Sequence, residues 1–142
     1  METGIIGELK DRMRTIIALP EKPSEVQEFA DWEVWLQPEG DLGQKLSGTM
    51  ERAFTEGTDR VVLVDFSVLE VTADDIQAAF QRLDAVDVVL GPKQDGNVYM
   101  FGAKRMIPEL FPAIDWSGED VFGLALKSLC FTGVSIRLME VK

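Results

Sequence analysis

The sequence predicts an α/β domain, a three-layer α/β/α sandwich around a mixed, mostly parallel sheet with one antiparallel hairpin. Three observations predict it. Apolar runs typical of strands alternate with amphipathic stretches of helical period along the 142 residues. The run Val61–Val64 is apolar at every position, which is typical of a strand covered by helices on both faces. Residues 93–97 place Asp-Gly between two apolar runs, the usual signature of a hairpin turn.

The first part of the chain predicts helix, strand, helix, strand and helix. The segments are a helix over Ile5–Met13, a strand Thr15–Leu19, a short helix Ser24–Ala30, a strand Glu33–Gln37 and a helix from Asp41 to Gly57. Asp41 stands three residues before Gln44, as in a capping box. Gly57 has the residue type that most often ends a helix, because glycine tolerates the left-handed conformation there.

The second part continues the alternation to the end of the chain. The segments are a strand Arg60–Phe66, a helix capped by Thr72, strands Val86–Gly91 and Val98–Phe101, a helix from Ser117 to Gly133 and a strand Val134–Val141. We expect the first of these strands at the centre of the sheet and Cys130 on the inward stripe of the last helix. With no linker or repeat, we expect residues 1–142 to form a single domain.

Composition excludes several classes of function. A chain without histidine and with one cysteine has neither the Ser-His-Asp triad, the Cys-His dyad nor the histidine-ligated zinc site. The net charge of -11 disfavours nucleic acid and anionic membranes as partners. No export signal or transmembrane run is visible, so we expect a cytoplasmic protein.

Five segments in sequence order resemble motifs of the bacterial glycosyltransferase-A-like family DUF2064, within the nucleotide-diphospho-sugar transferase superfamily. They are Gln37–Gly43, Glu56–Val64, Asp87–Gly96, Glu109–Phe111 and Trp116-Ser117. The first is similar to Q-x-x-G-D-L-G, and the third to D-V-V-L-G-P-x-x-D-G-G-Y-Y-L-I-G. The resemblance implies a nucleotide-diphospho-sugar transferase-like fold.

The resemblance also implies that this sequence lacks residues with which the family is expected to bind its ligand. In the family, the central strand leads into G-S-D-x-P, whose acidic residue is the expected ligand of a divalent cation. Here Ser67 stands at that position, and Asp65, two residues earlier, is a weak candidate to replace it. The chain begins after the family's first strand and phosphate loop and stops before its D-V-D-T-P segment.

The candidates for substrate binding are Asp41, Asp65, Asp95, Gly96 and Trp116. All of these except Asp65 also have a structural interpretation, which we favour. Asp41 is suited to cap a helix, Asp95-Gly96 to form a turn and Trp116 to pack, half-buried, after an irregular segment.

We therefore expect a degenerate, non-catalytic module for binding or assembly, without a cofactor. The alternative is a nucleotide-sugar transferase that uses Mg²⁺ or Mn²⁺ and is completed by a partner subunit. Without the family's first strand, the resemblance implies either that the strands Arg14–Leu19 and Arg60–Phe66 pair directly or that the sheet has an open edge there. An open strand edge favours a homodimer or a partner chain at this region.

Overall fold

Six strands and three helices lie in the part of the chain that the computed structural model describes. These residues are 13–19, 33–64, 70–112, 114–116 and 118–142, without the side chains of Ile17 and Leu19. The strands are β1 (Ile16–Leu19), β2 (Glu33–Leu36), β3 (Val61–Val64), β4 (Val88–Pro92), β5 (Val98–Ala103) and β6 (Ile136–Leu138). The helices are α1 (Leu42–Thr55), α2 (Ala73–Arg82) and α3 (Val121–Thr132). The helices predicted over residues 5–13 and 24–30 lie outside the described residues, apart from Met13.

The described strands form two sheets. Strands β1 and β2 pair in parallel, and the other four lie in the order β3-β5-β4-β6. Strand β5 is antiparallel to both β3 and β4, whereas β4 and β6 are parallel. The predicted mixed sheet and the antiparallel hairpin β4–β5 are therefore present. The sheet contains fewer parallel pairs than expected, because β5 lies between two strands and is antiparallel to both.

The predicted central position of the strand that begins at Arg60 is wrong for the described sheet. Strand β3 lies at one end of the four-stranded sheet, and all four of its residues are only half-buried. Its sequence suits a strand covered on both faces, yet among the described strands only β5 pairs with it. The apolar run thus predicted the covering helices correctly but not the number of neighbouring strands.

Local capping fixes the starts of the helices. Asp41 caps α1 and Thr72 caps α2, each in a full capping box with the residue three positions on. Helix α3 is capped by Asp120, whose side chain accepts from the Gly123 N–H, so the helix starts later than the predicted cap at Ser117. The left-handed Gly133, at φ 74°, ends it as predicted.

Apolar side chains fill both faces of the sheet. On one face, Val88 and Leu90 pack with Met50 of α1 and Leu129 of α3. On the other face, Val89 packs with residues of α2. Alternation along β4 thus directs successive residues to opposite helical layers, which confirms the three-layer α/β/α architecture.

The prediction for Cys130 is wrong, because its side chain is exposed. Its neighbour Leu129 occupies the inward stripe instead, with no exposed surface. Nearly every residue of α3 is apolar, so the sequence contains no polar face that would fix which side turns inward. Among the described helices, none has the length and apolar character needed to cross a bilayer.

Candidate functional site

Two of the candidate residues, Asp95 and Gly96, lie at one edge of the four-stranded sheet. Strands β3 and β4 both run against β5, so they are parallel to each other and their carboxyl ends share an edge. At that edge β4 leads into the turn that contains Asp95 and Gly96, and β3 ends at Val64. Crevices beside the carboxyl ends of parallel strands are where α/β domains bind ligands. Asp65 and Ser67, the metal-site candidates, lie outside the described residues.

Asp41 is engaged in starting α1. Its Oδ1 accepts a hydrogen bond from the Gln44 N–H at 2.8 Å, and its own N–H donates to Gln44 Oε1 at 2.9 Å. This is the capping box that the sequence predicts, and it occupies one carboxylate oxygen with a backbone donor. The structural interpretation of Asp41 is confirmed.

Trp116 packs against the first turn of α1. A Cβ added to the buried Gly43 would lie 2.7 Å from Trp116 Cδ1 and 3.3 Å from Asp41 Oδ1. Only a residue without a side chain fits this close approach. The structure therefore brings Asp41 and Trp116 together, a juxtaposition that no spacing in the sequence indicates.

One face and the polar edge of the Trp116 indole both contact Phe111. The ring stacks on Phe111 with centroids 5.5 Å apart and an interplanar angle of 25°. Its Nε1–H donates to the Phe111 carbonyl at 3.1 Å. The half-buried indole is thus part of the packed layer, which confirms the packing interpretation.

Asp95 and Gly96 form the hairpin turn between β4 and β5. The Gly96 N–H donates to the Lys93 carbonyl at 3.2 Å, and the Lys93 N–H donates to the Asn97 carbonyl at 2.8 Å. Asp95 Oδ1 accepts from the Asn97 N–H at 3.0 Å. This hydrogen bond, with the Lys93 charge nearby, lowers the pKa of Asp95 below its usual value. The predicted turn is confirmed, and the carboxylate is held ionised within it.

The turn is also docked onto the start of α3. The Phe122 N–H donates to the Gly96 carbonyl at 2.9 Å, and a Cβ at Gly96 would lie 2.8 Å from the Glu119 carbonyl oxygen. The free N–H groups at a helix start normally suit an anion such as phosphate. Here Gly96 and the cap Asp120 accept two of them, so the protein's own chain occupies that position.

The last residue of the sequence lies at the same edge and was missed by the sequence analysis. The Lys142 N–H donates to the Pro92 carbonyl at 3.1 Å, and its carbonyl accepts from the Gln94 N–H at 2.9 Å. Its ammonium lies 3.3 Å from Asp75 Oδ2 in the first turn of α2. A lysine near the end of a chain has no local pattern that would have predicted these contacts.

A metal centre has no complete ligand set among the described side chains. Within residues 13–19, 33–64, 70–112, 114–116 and 118–142, no three His, Cys, Asp or Glu side chains gather in a way that could hold an ion. Asp41 and Asp95 lie on separate segments and each has its own backbone donor. The described part of the edge therefore consists of a hairpin turn and a helix start that hydrogen-bond to each other.

Comparison with known proteins identifies relatives of this chain. The family model described as "Uncharacterized protein conserved in bacteria (DUF2064)" matches residues 8–118. A crystal structure titled "putative nucleotide-diphospho-sugar transferase", from Desulfovibrio desulfuricans G20, is similar with a TM-score of 0.86 and 23% identity. The similarity covers 98% of this chain and 64% of the Desulfovibrio chain. No protein with a curated description matches. These findings bear out the suspected family and its fold.

Proposed function

The chain belongs to the DUF2064 family of bacterial proteins, and from that premise we propose that it is a non-catalytic glycosyltransferase-A-like domain that acts as a binding or assembly module. Its fold is that of a nucleotide-diphospho-sugar transferase-like protein. In this function the domain assembles with another chain at the edge of the sheet beside β3.

One observation carries the proposal: each described candidate residue already serves the scaffold. Asp41 caps α1, Asp95 closes a turn, Gly96 docks on α3 and Trp116 packs on Phe111. A donor nucleotide would have to displace these contacts to use the same atoms. Each such exchange sacrifices an existing hydrogen bond, so little net binding energy is gained.

The sequence beyond β3 supports the same conclusion. Family resemblance places Ser67 where an acidic ligand is expected. A neutral hydroxyl is a much weaker ligand for a hard divalent cation than a carboxylate. Without that cation, the two negative phosphates of a nucleotide diphosphate would lie unneutralised beside a chain of net charge -11.

One observation favours the alternative, a metal-dependent nucleotide-sugar transferase completed by a partner subunit. Asp65 directly follows β3, which ends at the edge shared with the carboxyl end of β4. An acidic residue at that place in the sequence is suited to a cation, with Mg²⁺ or Mn²⁺ as the cofactor.

Isothermal titration with UDP- and GDP-sugars, each in the presence of Mg²⁺ and of Mn²⁺, separates the two functions. The module proposal predicts no saturable heat. Saturable binding that is lost in Asp65→Asn and retained in Asp59→Asn would contradict it and support the transferase. Asp59 is the matched control, since it is an exposed acidic residue at the opposite end of β3.

A further inference from the structure

Helix α3 has apolar residues on every side, yet one of its sides is exposed. Its sequence VFGLALKSLCFT contains a single charged residue, Lys127. A helix that is apolar all round is normally covered on all sides. Leu129 of this helix has no exposed surface, whereas Leu124 is 40% exposed and Phe131 is 83% exposed. No described element therefore covers the side of α3 that contains Leu124 and Phe131.

The exposed side of α3 faces away from α1. Leu124 and Phe131 are seven residues apart, so they lie on one side of the helix, two turns from each other. Phe122, on the opposite flank of α3, packs in the cluster that contains Met50 of α1. Helix α1 packs on β3, at one end of the sheet. The side with Leu124 and Phe131 is therefore directed toward the other end, where β6 lies.

Strand β6 extends this apolar surface. Leu138 pairs with Leu90 of β4, and residues that pair across parallel strands face the same side of a sheet. Leu90 packs with residues of α3, so Leu138 also faces the α3 layer, and it is 47% exposed. We call the three side chains of Leu124, Phe131 and Leu138 the α3–β6 surface. An exposed group of large apolar side chains of this kind marks an interaction site.

The residues that adjoin the undescribed ranges lie elsewhere on the molecule. Strands β1 and β2 adjoin residues 1–12 and 20–32 and lie against the end of α1, where Arg14 pairs with Glu56. Strands β3, β5 and β4 therefore separate them from β6. Residues 65–69 join β3 to α2, which covers the other face of the sheet. The α3–β6 surface thus has no neighbour among the elements that lead into those ranges.

The charge around the α3–β6 surface is positive, although the chain is acidic. Residues 121–139 contain Lys127 and Arg137 and no Asp or Glu, whereas the whole chain has a net charge of -11. Lys127 lies between Leu124 and Phe131 in the same row of α3. Both cations are exposed, and no carboxylate of the described residues forms an ion pair with either. Cations without counter-ions beside apolar side chains are complementary to a partner that is both apolar and acidic.

We propose that the α3–β6 surface binds one acidic, amphipathic helix of a different polypeptide chain. Apolar residues at i, i+3 or i+4 and i+7 of such a helix span two turns, roughly 10 Å, which matches the spacing of Leu124 and Phe131. Acidic residues beside that stripe pair with Lys127. Strand β6 has only three residues, which favours helix docking over the addition of a strand. This surface goes beyond the module function proposed above, because it lies at the opposite end of the sheet from β3.

A second copy of this chain is less complementary to the surface. In a two-fold contact the surface meets itself, which brings two copies of Lys127 together. Residues 121–139 contain no carboxylate to separate these charges. Like charges that meet at an interface oppose association, and the net charge of -11 on each copy adds to the repulsion. Charge complementarity therefore favours a different, acidic chain.

A fluorescein-labelled peptide of three Leu-Glu-Ala-Leu-Leu-Ala-Glu repeats is a direct probe, because it has an acidic amphipathic pattern and the length of a stable helix. Polarisation at increasing concentrations of the full chain is expected to show saturable binding that weakens as salt is added. The rest of the chain repels this peptide, since both are acidic. Absence of saturable binding would overturn the proposal.

Two pairs of variants test the apolar and the ionic contribution. Phe131→Ser is expected to weaken binding about tenfold or more, whereas Leu42→Ser, at an exposed apolar residue of α1, is the matched control and is expected to retain it. Lys127→Glu is expected to weaken binding about tenfold or more, and Lys45→Glu makes the same change in net charge on α1 and is expected to have little effect. Equal weakening by each variant and its control would overturn the proposal.

Two further measurements locate the contact and identify the occupant. In ¹H–¹⁵N NMR spectra the peptide is expected to shift the amides of Leu124–Phe131 and of β6, and shifts confined to Val61–Val64 would overturn the proposal. Sedimentation of the chain alone is expected to show a monomer at the concentrations of the titration. A dimer that dissociates in Phe131→Ser would make a second copy the occupant and overturn the proposal.

Discussion

Strands β3 and β4 have similar sequences and different surroundings. Val61–Val64 and Val88–Leu90 are both unbroken apolar runs, and both strands pair with β5. Every residue of β4 is buried because β6 covers its other side, whereas every residue of β3 is only half-buried. The comparison teaches that local sequence determines which faces of a strand are covered by helices. Strands distant in sequence determine whether its edges are paired.

The largest expected effect tests this difference in burial directly. Leu90→Ala, in β4, is expected to lower the free energy of unfolding by about 3 kcal/mol, because it leaves a cavity in a closed core. Leu63→Ala, the matched change in β3, is expected to cost about 1 kcal/mol, because that side chain already contacts solvent. Urea denaturation monitored by circular dichroism measures both, and equal losses would contradict the difference between the strands.

Alkaline pH is expected to destabilise the fold through Tyr99 of β5, the strand between β3 and β4. Burial, together with the charges of Asp75 and Glu140, raises the pKa of Tyr99 to about 12, and its hydroxyl donates to the Glu140 carbonyl at 2.7 Å. An unfolded tyrosine loses its proton near pH 10, so between about pH 10 and 12 the unfolded chain binds fewer protons and stability falls, by about 2 kcal/mol.

Thermal unfolding of the protein and of Tyr99→Phe across pH 9 to 12 checks this prediction. The variant has no ionisable hydroxyl at this position, so its stability should decline less over the same range. Parallel declines would show that Tyr99 does not link stability to alkaline pH.

The cap of α1 provides an intermediate effect on the β3 side. Asp41→Ala is expected to cost about 1 kcal/mol, because it leaves the Gln44 N–H without its acceptor. Asp41→Ser is expected to restore most of the loss, since serine caps helices equally well. Urea midpoints decide this, and a serine variant as unstable as the alanine variant would argue against a capping role.

The smallest expected effect concerns the ion pairs that Arg14 forms. Arg14 contacts both Glu33 and Glu56, and the hydrogen bond from Arg14 lowers the pKa of each carboxyl group. These groups are exposed, so Glu33→Gln should cost less than about 1 kcal/mol. Because the pKa values are lowered, this contribution should be lost as the pH falls below about 4.5. Unfolding at pH 7 and at pH 3 measures it, and a cost as large at pH 3 as at pH 7 would contradict an ionic origin.

The sequence was most informative where structure is local. The capping box of Asp41 with Gln44 and the cap at Thr72 each lie within four consecutive residues, so the pattern alone predicted both. The turn at Asp95 is equally local. The edge position of β3 depends on β5, more than thirty residues later, and no pattern within β3 records that pairing.

The candidate site shows the same limit. Contact between Trp116 and Gly43 joins residues far apart in sequence, and the docking of Gly96 on α3 depends on where that helix begins. The sequence misplaced that start at Ser117, because Ser117 and Asp120 are both suitable caps and only tertiary contacts select between them. Cys130 was misassigned for a related reason, since α3 lacks a polar face.

The central claim is that the described candidate residues serve the scaffold and bind no nucleotide sugar. The most direct test is a ¹H–¹⁵N NMR titration of the full chain with UDP-glucose in the presence of Mg²⁺, repeated with Mn²⁺. We predict unchanged resonances for the amides of Asp41, Asp95 and Gly96 and for the Trp116 indole. Saturable shifts at these positions, with Mn²⁺ broadening them only when the nucleotide sugar is present, would contradict the claim.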